Sequence, residues 1–469
     1  MIKPLNSARA DRPDKGMAAL TVVMIIFFVM ALVAAYTNRN LVFEQRISTN
    51  TYKAARALEA AEAAVDWTLS MLNGGALTDN CTAPTAAALT VNPGAYPDFR
   101  RRYLSTPVAA TVDEGRYTML WDAGANLQMY PACIIGADAG MNCICPKLTN
   151  PNPTMVRPAD GIGSAFNVNL TLPLSTVVGN PGVLTIRAQG CASIGTGSTS
   201  CYTQINTAQL FTVVDAKNGV DMTVGLVRAL PLGAQAPGHP QLATLTAGGT
   251  VSSTGGILRV VNSDLGLTVH AGGLIPPPSA TAVYVGAAGS RSPLVSANDT
   301  ALYNLAHSSP ADDSWFLSFF GMLPALYKVQ PALIAVPCAG GECTSADLAP
   351  ILARYPRHPI WVQGNLTIDD AAPLGDMSGA DPAARSPVML VIDGDLRVTV
   401  ATPITGFLHA KNIAWNNAGA TVRGALVTPG DFTYSTNATL IYDLDVINTI
   451  RLYYGSFVRV PGSWKSITF

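Results

Sequence analysis

The sequence predicts an α+β protein. A long amino-terminal helix, first transmembrane and then amphipathic, leads into a mostly β exported region with a parallel β-solenoid-like carboxy-terminal part. Three observations carry this expectation. Met17–Thr37 holds no charge, and about 20 such residues span a hydrocarbon core as one helix. Residues 41–72 contain neither Pro nor Gly and are rich in Ala, Leu, Glu, Arg and Gln, all good helix formers. From about residue 239 onward, short apolar runs recur and end in Gly-Asn or Gly-Asp pairs, which suit tight corners.

Composition narrows the class. The chain has 469 residues and a net charge of −1, with 13% charged residues against ~25% in ordinary soluble proteins. At 49% hydrophobic it is too apolar to be disordered. The near-zero net charge argues against a nucleic-acid partner, which would call for a basic patch or stripe. The 41 Gly and 33 Pro fit short strands joined by turns.

The amino terminus organises the rest. In residues 1–16, Lys3, Arg9, Arg12 and Lys15 outweigh Asp11 and Asp14. Basic residues before an apolar span place the amino terminus in the cytoplasm and everything after Arg39 outside. A secretory signal would have a shorter apolar core of ~7–15 residues and a small-residue cleavage site, neither of which is seen here. Lys15-Gly16 directly precedes the apolar run, and Lys15-Gly16-Met17-Ala18-Ala19-Leu20-Thr21 resembles the start of PilX-type minor pilins. The resemblance implies a prepilin-like leader (1–16) cut by a prepilin peptidase between Gly16 and Met17, N-methylation of Met17, and a retained transmembrane helix (17–37). Most pilins carry Glu where this chain has Thr21, which points away from a major, repeating subunit.

The helix is expected to continue through 38–74 until Asn73-Gly74-Gly75 stops it. From Met17 to Asn73 it would measure ~85 Å. Ala54, Leu58, Ala61 and Val65 form a narrow apolar stripe at helical spacing, expected to pack on a globular head and against other subunits. Glu44-Gln45-Arg46-Ile47 and Ala57-Leu58-Glu59-Ala60-Ala61-Glu62-Ala63-Ala64 extend the PilX resemblance.

All eight cysteines follow the span, and an even number in an exported region implies disulfides. Cys191 with Cys201 and Cys338 with Cys343 flank short Gly-rich turns. Cys143 and Cys145 are too close to pair readily with each other, so Cys81 and Cys133 take one each, in either order. The spacings do not match zinc ribbons, and the five histidines are scattered, so no metal is expected.

Residues 76–235 read as a disulfide-containing α+β head, with β-like runs at Tyr117–Leu120, Val183–Ile186, Phe211–Val214 and Met222–Val227 and a loop over Pro146–Gly161. Residues 236–469 read as the solenoid-like domain, with a helical insertion at 311–356. Leu245–Val251 is echoed by Leu267–Ile275, and corner residues recur at Asn365, Asp395, Asn412 and Asp431. Stacking such coils buries faces that no coil can bury alone. Asp443 is placed to cap a helix up to Leu452. Phe319-Phe320-Gly321-Met322, Cys338…Cys343, Ile360-Trp361-Val362-Gln363-Gly364, Val391-Ile392-Asp393-Gly394-Asp395 and Val460-Pro461-Gly462-Ser463-Trp464 are similar to segments of larger PilX-type proteins. They read as fold markers.

No catalytic motif, cofactor fingerprint or calcium loop is present. Asp369-Asp370 and Asp393/Asp395 are candidate carboxylate pairs for acid–base work, but Asp393 and Asp395 flank a corner Gly, which favours a solvated turn. The expected function is a non-enzymatic minor pilin-like subunit that primes or caps type IV pilus assembly. Its expected partners are other minor pilins, the major pilin, prepilin peptidase, the inner membrane and a tip adhesin. It would cross the inner membrane once and join the pilus or its tip after assembly. A GspK-like tip pseudopilin or a surface adhesin is the alternative, and a membrane-tethered polysaccharide-active solenoid enzyme ranks third.

Overall fold

The structure, a computed structural model, describes residues 15–104, 121–122, 127–128, 130–136, 140–147, 150, 153, 155, 162–171, 182–194, 201, 217–231, 242–264, 266–279, 281–287, 295–308, 311–379 and 385–467. The runs expected at Tyr117–Leu120 and Phe211–Val214, and most of the Pro146–Gly161 loop, lie outside them.

Helix α1 (Lys15–Leu72) is continuous over 58 residues. Its second half lies on an antiparallel sheet made of β1 (Ala132–Gly136), β2 (Gly140–Ile144), β3 (Ile162–Thr171), β4 (Val183–Ile194) and β5 (Lys217–Arg228), in the order β5-β4-β3-β1-β2. The strands alternate as a half-buried sheet requires. Phe166, Val168 and Leu170 of β3, Leu184, Ile186 and Ala188 of β4, and Val220, Met222 and Val224 of β5 face α1 in one core. The backbones meet closely at Gly190, where a Cβ would sit 2.1 Å from the Ala57 carbonyl oxygen and 2.7 Å from the Ala61 nitrogen. Only glycine fits there.

The second region is a stack of parallel coils, and among the described residues every pairing between its strands is parallel. In chain order the coils are A (245–261), B (269–285), C (334–344), D (359–368), E (388–398), F (403–415) and G (421–441). Their order in space is B-A-G-F-E-D-C, so the last coil of the chain meets the first. Val295–Ser296 adds a short rung outside B. In-register side chains form aliphatic ladders through the interior. One runs Ile334, Ile360, Leu390, Leu408, Leu426, Leu245, Val269, Val295. The other runs Cys343, Leu366, Leu396, Ile413, Phe432, Val251.

A polar ladder joins the corners between these two. Asn365 Nδ2 donates to Glu342 Oε1 (2.7 Å), and Asn365 Oδ1 accepts from the Asp395 amide (2.8 Å). Asn412 Nδ2 donates to Asp395 Oδ1 (2.9 Å), and Asn412 Oδ1 accepts from the Asp431 amide (3.0 Å). Asp431 Oδ1 in turn accepts from Thr250 (2.7 Å) in coil A. Acids and amides alternate, so no two carboxylates are adjacent along the ladder. Both ends of the stack resist extension. Coil C carries Pro337 and a register shift closed by Cys338–Cys343, and Pro276, Pro277 and Pro278 follow Leu274, whose carbonyl pairs with Val251. Prolines and bulges blunt sheet edges in this way.

Three expectations are corrected. The helical insertion begins earlier, with helices at Thr300–His307, Ala311–Phe320 and Pro324–Tyr327. These lie along the aromatic outer flank of the coils, where Trp315, Phe316, Phe320 and Tyr327 pack with Trp361 and Phe407, and lead the chain to the far end of the stack. Within the expected insertion, 334–344 is a strand of the stack, held in the ladder by pairing with coil D. The solenoid does not reach residue 469. After the helix Leu444–Tyr453, capped by Asp443, strands β6 (Gly455–Arg459) and β7 (Lys465–Ile467) return to the head and pair antiparallel with β5, completing its open edge.

Candidate functional site

The head exists around α1, and α1 divides into two halves. From Ala19 to Ile47 its large apolar side chains are exposed; Phe27 and Tyr36, for example, are 72% and 67% exposed. This part is long and apolar enough to cross a membrane. Gly16 and Met17 lie in its first described turn. From Ala57 onward the helix is buried along Ala57, Ala61, Ala64, Val65, Thr68 and Leu72, while Ala54 and Leu58 are half-buried. Ala61 and Val65 are part of the chain's own head core. This corrects the expectation that they dock against other subunits, because their surfaces are already filled by β3, β4 and β5. The narrow Ala stripe exists because Gly190 brings β4 onto the helix backbone.

Four disulfides brace the region after α1: Cys81–Cys145, Cys133–Cys143, Cys191–Cys201 and Cys338–Cys343. The first three fasten the head. Cys133–Cys143 crosses directly between paired residues of β1 and β2.

The end of α1 enters a buried polar joint that the sequence reading did not single out. Asn73 bonds the strap strand β6 with both ends of its amide: Oδ1 accepts from Phe457 N (2.8 Å), and Nδ2 donates to Phe457 O (2.9 Å). Arg100 donates to Asn73 Oδ1 (3.0 Å), to the Gly455 carbonyl (2.7 Å) and to the Leu72 carbonyl at the helix terminus. Such terminal carbonyls have no partner inside the helix. Beside it, Arg357 grips Asp98 in a buried ion pair (2.7 Å), and His358 Nε2 lies 3.1 Å from the Asn73 carbonyl. Burial opposes the charge on Asp98, but Arg357 and the Arg101 amide overcome it and hold the carboxyl at about 2. Burial, reinforced by Arg100, pushes His358 down to about 4, so at neutral pH the ring is neutral. Since the Asn73 carbonyl only accepts, Nε2 carries the proton. The joint thus binds helix, head and solenoid through Asn73, Asp98, Arg100, Arg357, His358 and Gly455.

The carboxylate pairs are occupied structurally. Asp369 accepts from the Ser345 amide (3.1 Å), Asp370 from Ala372 (3.1 Å), and Asp393 pairs with Lys328 (3.1 Å). Asp395 belongs to the corner ladder. Among the described residues, no group of three His, Cys, Asp or Glu side chains is placed to hold a metal. A cavity of about 690 Å³ opens beside the joint, lined by Leu69, Met71, Leu77, Ile334, Arg354 and Tyr355 among others.

The first half of this helix is bare and apolar, and its second half is the spine of a disulfide-braced antiparallel head. Residues 15–66 match the family model described as PilX N-terminal. No curated protein matches the chain by sequence. Solved structures similar to it include the competence-associated pilin ComZ from Thermus thermophilus, at 10% identity and a TM-score of 0.20, covering 88% of this chain and 97% of that one. An ice-binding protein (LeIBP) from an Arctic yeast matches at 13% identity and TM-score 0.21, covering 45% of this chain and 96% of that one. An ice-binding protein from an Antarctic biological consortium matches at 14% and 0.21, covering 47% and 98%.

Proposed function

We propose that this chain is a minor pilin that primes or caps a type IV pilus, carrying its head and solenoid at or near the tip. The observation that supports this reading best is the divided helix: the exposed apolar half (19–47) leads directly into the buried spine of the head. The basic residues at 3, 9, 12 and 15 favour a cytoplasmic amino terminus, leaving the head and solenoid outside the inner membrane. Thr21 supports a low-copy position. A carboxylate at that depth is costly unless paired, and a neutral Thr neither needs nor offers such a pairing under many identical copies. The partners in this reading are prepilin peptidase, the other minor pilins, the major pilin and a tip adhesin.

Mass spectrometry of the amino terminus tests it. The mature protein is expected to begin at an N-methylated Met17, and Gly16→Val is expected to leave the uncut precursor in the inner membrane and abolish assembly. A normal mature mass in that variant overturns the reading. So does a copy number in sheared filaments near that of the major subunit.

A further inference from the structure

The closing Val460-Pro461-Gly462-Ser463-Trp464 motif is not used by the pilin helix, yet the structure gives it a defined place. Strand β6 pairs with β5 from Gly455↔Arg228 to Arg459↔Val224. Strand β7 resumes the pairing at Lys465↔Asp221. Between them the chain bulges away, with Gly462 at a φ of +75°, and Thr223 would lose a strand partner. The Val460 amide still meets the Thr223 carbonyl (3.0 Å), and the Ser463 hydroxyl supplies the missing half: it accepts from the Thr223 amide (3.1 Å), with the Thr223 and Val460 carbonyls (3.0 and 2.7 Å) within reach of its one proton. The strap is therefore held to the head by side chains that imitate backbone pairing at two points, Asn73 on Phe457 and Ser463 on Thr223.

The same short segment touches every part of the molecule. Arg459 pairs with Asp66 on α1, and Ser456 Oγ accepts from the Ala332 amide (2.9 Å) just before coil C. Two covalent connections join head to solenoid: one leaves β5 after Arg228, the other returns through Tyr454. They lie side by side, with the Ala229 amide donating to the Tyr454 carbonyl (3.0 Å). A pull between anchored helix and solenoid is carried by the antiparallel pair of β5 with β6, by the Asn73 clamp behind it, and by the buried joint in which Arg357 holds Asp98 and the Ala76 amide meets the Arg354 carbonyl (2.8 Å). The pair lies at the sheet's edge, backed by polar contacts, whereas each inner coil is fixed by ladders on both sides.

We infer that residues 455–467 act as a load-bearing latch: the strap couples the anchored helix to the solenoid, and its release separates the two while the coils stay folded. This inference does not depend on the pilus reading, because it concerns only how force crosses the joint.

Single-molecule force spectroscopy on the full chain in detergent tests it, with handles at position 40 on α1 and position 417 on the solenoid. The wild type is expected to show a low-force opening of the joint before any coil unfolds. Asn73→Ala and Ser463→Ala are expected to lower that first force by at least a third and leave the later events unchanged, with Ser463→Thr close to wild type because it keeps the hydroxyl. Ser463 sits in a surface turn, so its variants decide the matter should Asn73→Ala fail to fold. A first event unmoved by Ser463→Ala overturns the latch, as does coil unfolding ahead of joint opening or a single event for the whole chain.

Discussion

Three of the four disulfides fasten the head, whereas the seven-coil stack carries one, at its end coil C. The head is a single antiparallel sheet on one helix, and the helix face it meets is made largely of alanine. A single sheet on one helix has no repeating neighbours to hold its strands in place, and covalent links tie them instead. An inner coil such as F has neighbours on both sides, with Leu408 between Leu390 and Leu426, so repetition does the work of a cross-link. Only coil C, with one neighbour, is closed by a disulfide. Small exported folds use cysteine where a core is thin, and here that rule operates within one chain.

This contrast can be broken or sharpened by perturbing each side alone. The largest effect is expected from Cys81→Ala/Cys145→Ala. That link spans 64 residues, and losing such a loop closure costs about 4 kcal/mol in the chain-entropy account. Calorimetry should show the head transition falling and the solenoid transition staying; a parallel fall in both would show that the regions are not separable.

Next comes acid. Burial holds the folded His358 at about 4, below the ordinary histidine value of 6.5, so between these values the unfolded chain binds the extra proton. Stability is fully present above pH 6.5 and drains as pH falls toward 4, on the order of 3 kcal/mol in all. Asp98, lowered from 3.8 to about 2, removes more as pH falls from about 3.8 through 2. His358→Phe should flatten the first window but keep the second, as read from denaturant midpoints between pH 7 and 2.

Gly190→Ala should cost about 1–3 kcal/mol through overpacking against α1, with the added methyl loosening the helix from β4. Hydrogen exchange should then rise along 54–65 and remain unchanged in the coils. Smallest of all, Asn412→Ala removes one corner rung, worth about 1 kcal/mol, visible as faster exchange of the Asp431 amide; no change would mean that the aliphatic ladders alone set the register.

Much of this could be read in advance, for specific reasons. The uncharged run and the Pro- and Gly-free stretch after it define α1, and Gly-Asn and Gly-Asp pairs mark the corners, because few other residues serve there. Coil order could not be read. Corner spacing tells which segments form coils but not which edges meet, and coils A and G are joined by hydrogen bonds across about 180 residues of chain. The strap was missed because Gly455–Arg459 looks like one more short apolar strand. The joint is not legible because Arg100 sits in Phe99-Arg100-Arg101-Arg102-Tyr103, a basic run typical of solvated surfaces, and only the tertiary fold shows that the Arg100 and Arg102 side chains are buried and that Arg100 turns to the end of α1.

The coil order also sets a timetable for biogenesis. Coils A and B come first along the chain, but the edge that A must join arrives only with coil G, about 180 residues later. Until then A offers an unpaired parallel edge to whatever is nearby, and closing so long a loop is slow. The stack cannot be assembled coil by coil as it emerges. Any chain cut before coil G keeps that edge open, and quality control has a simple signal to read: an exposed β-edge that only coil G covers.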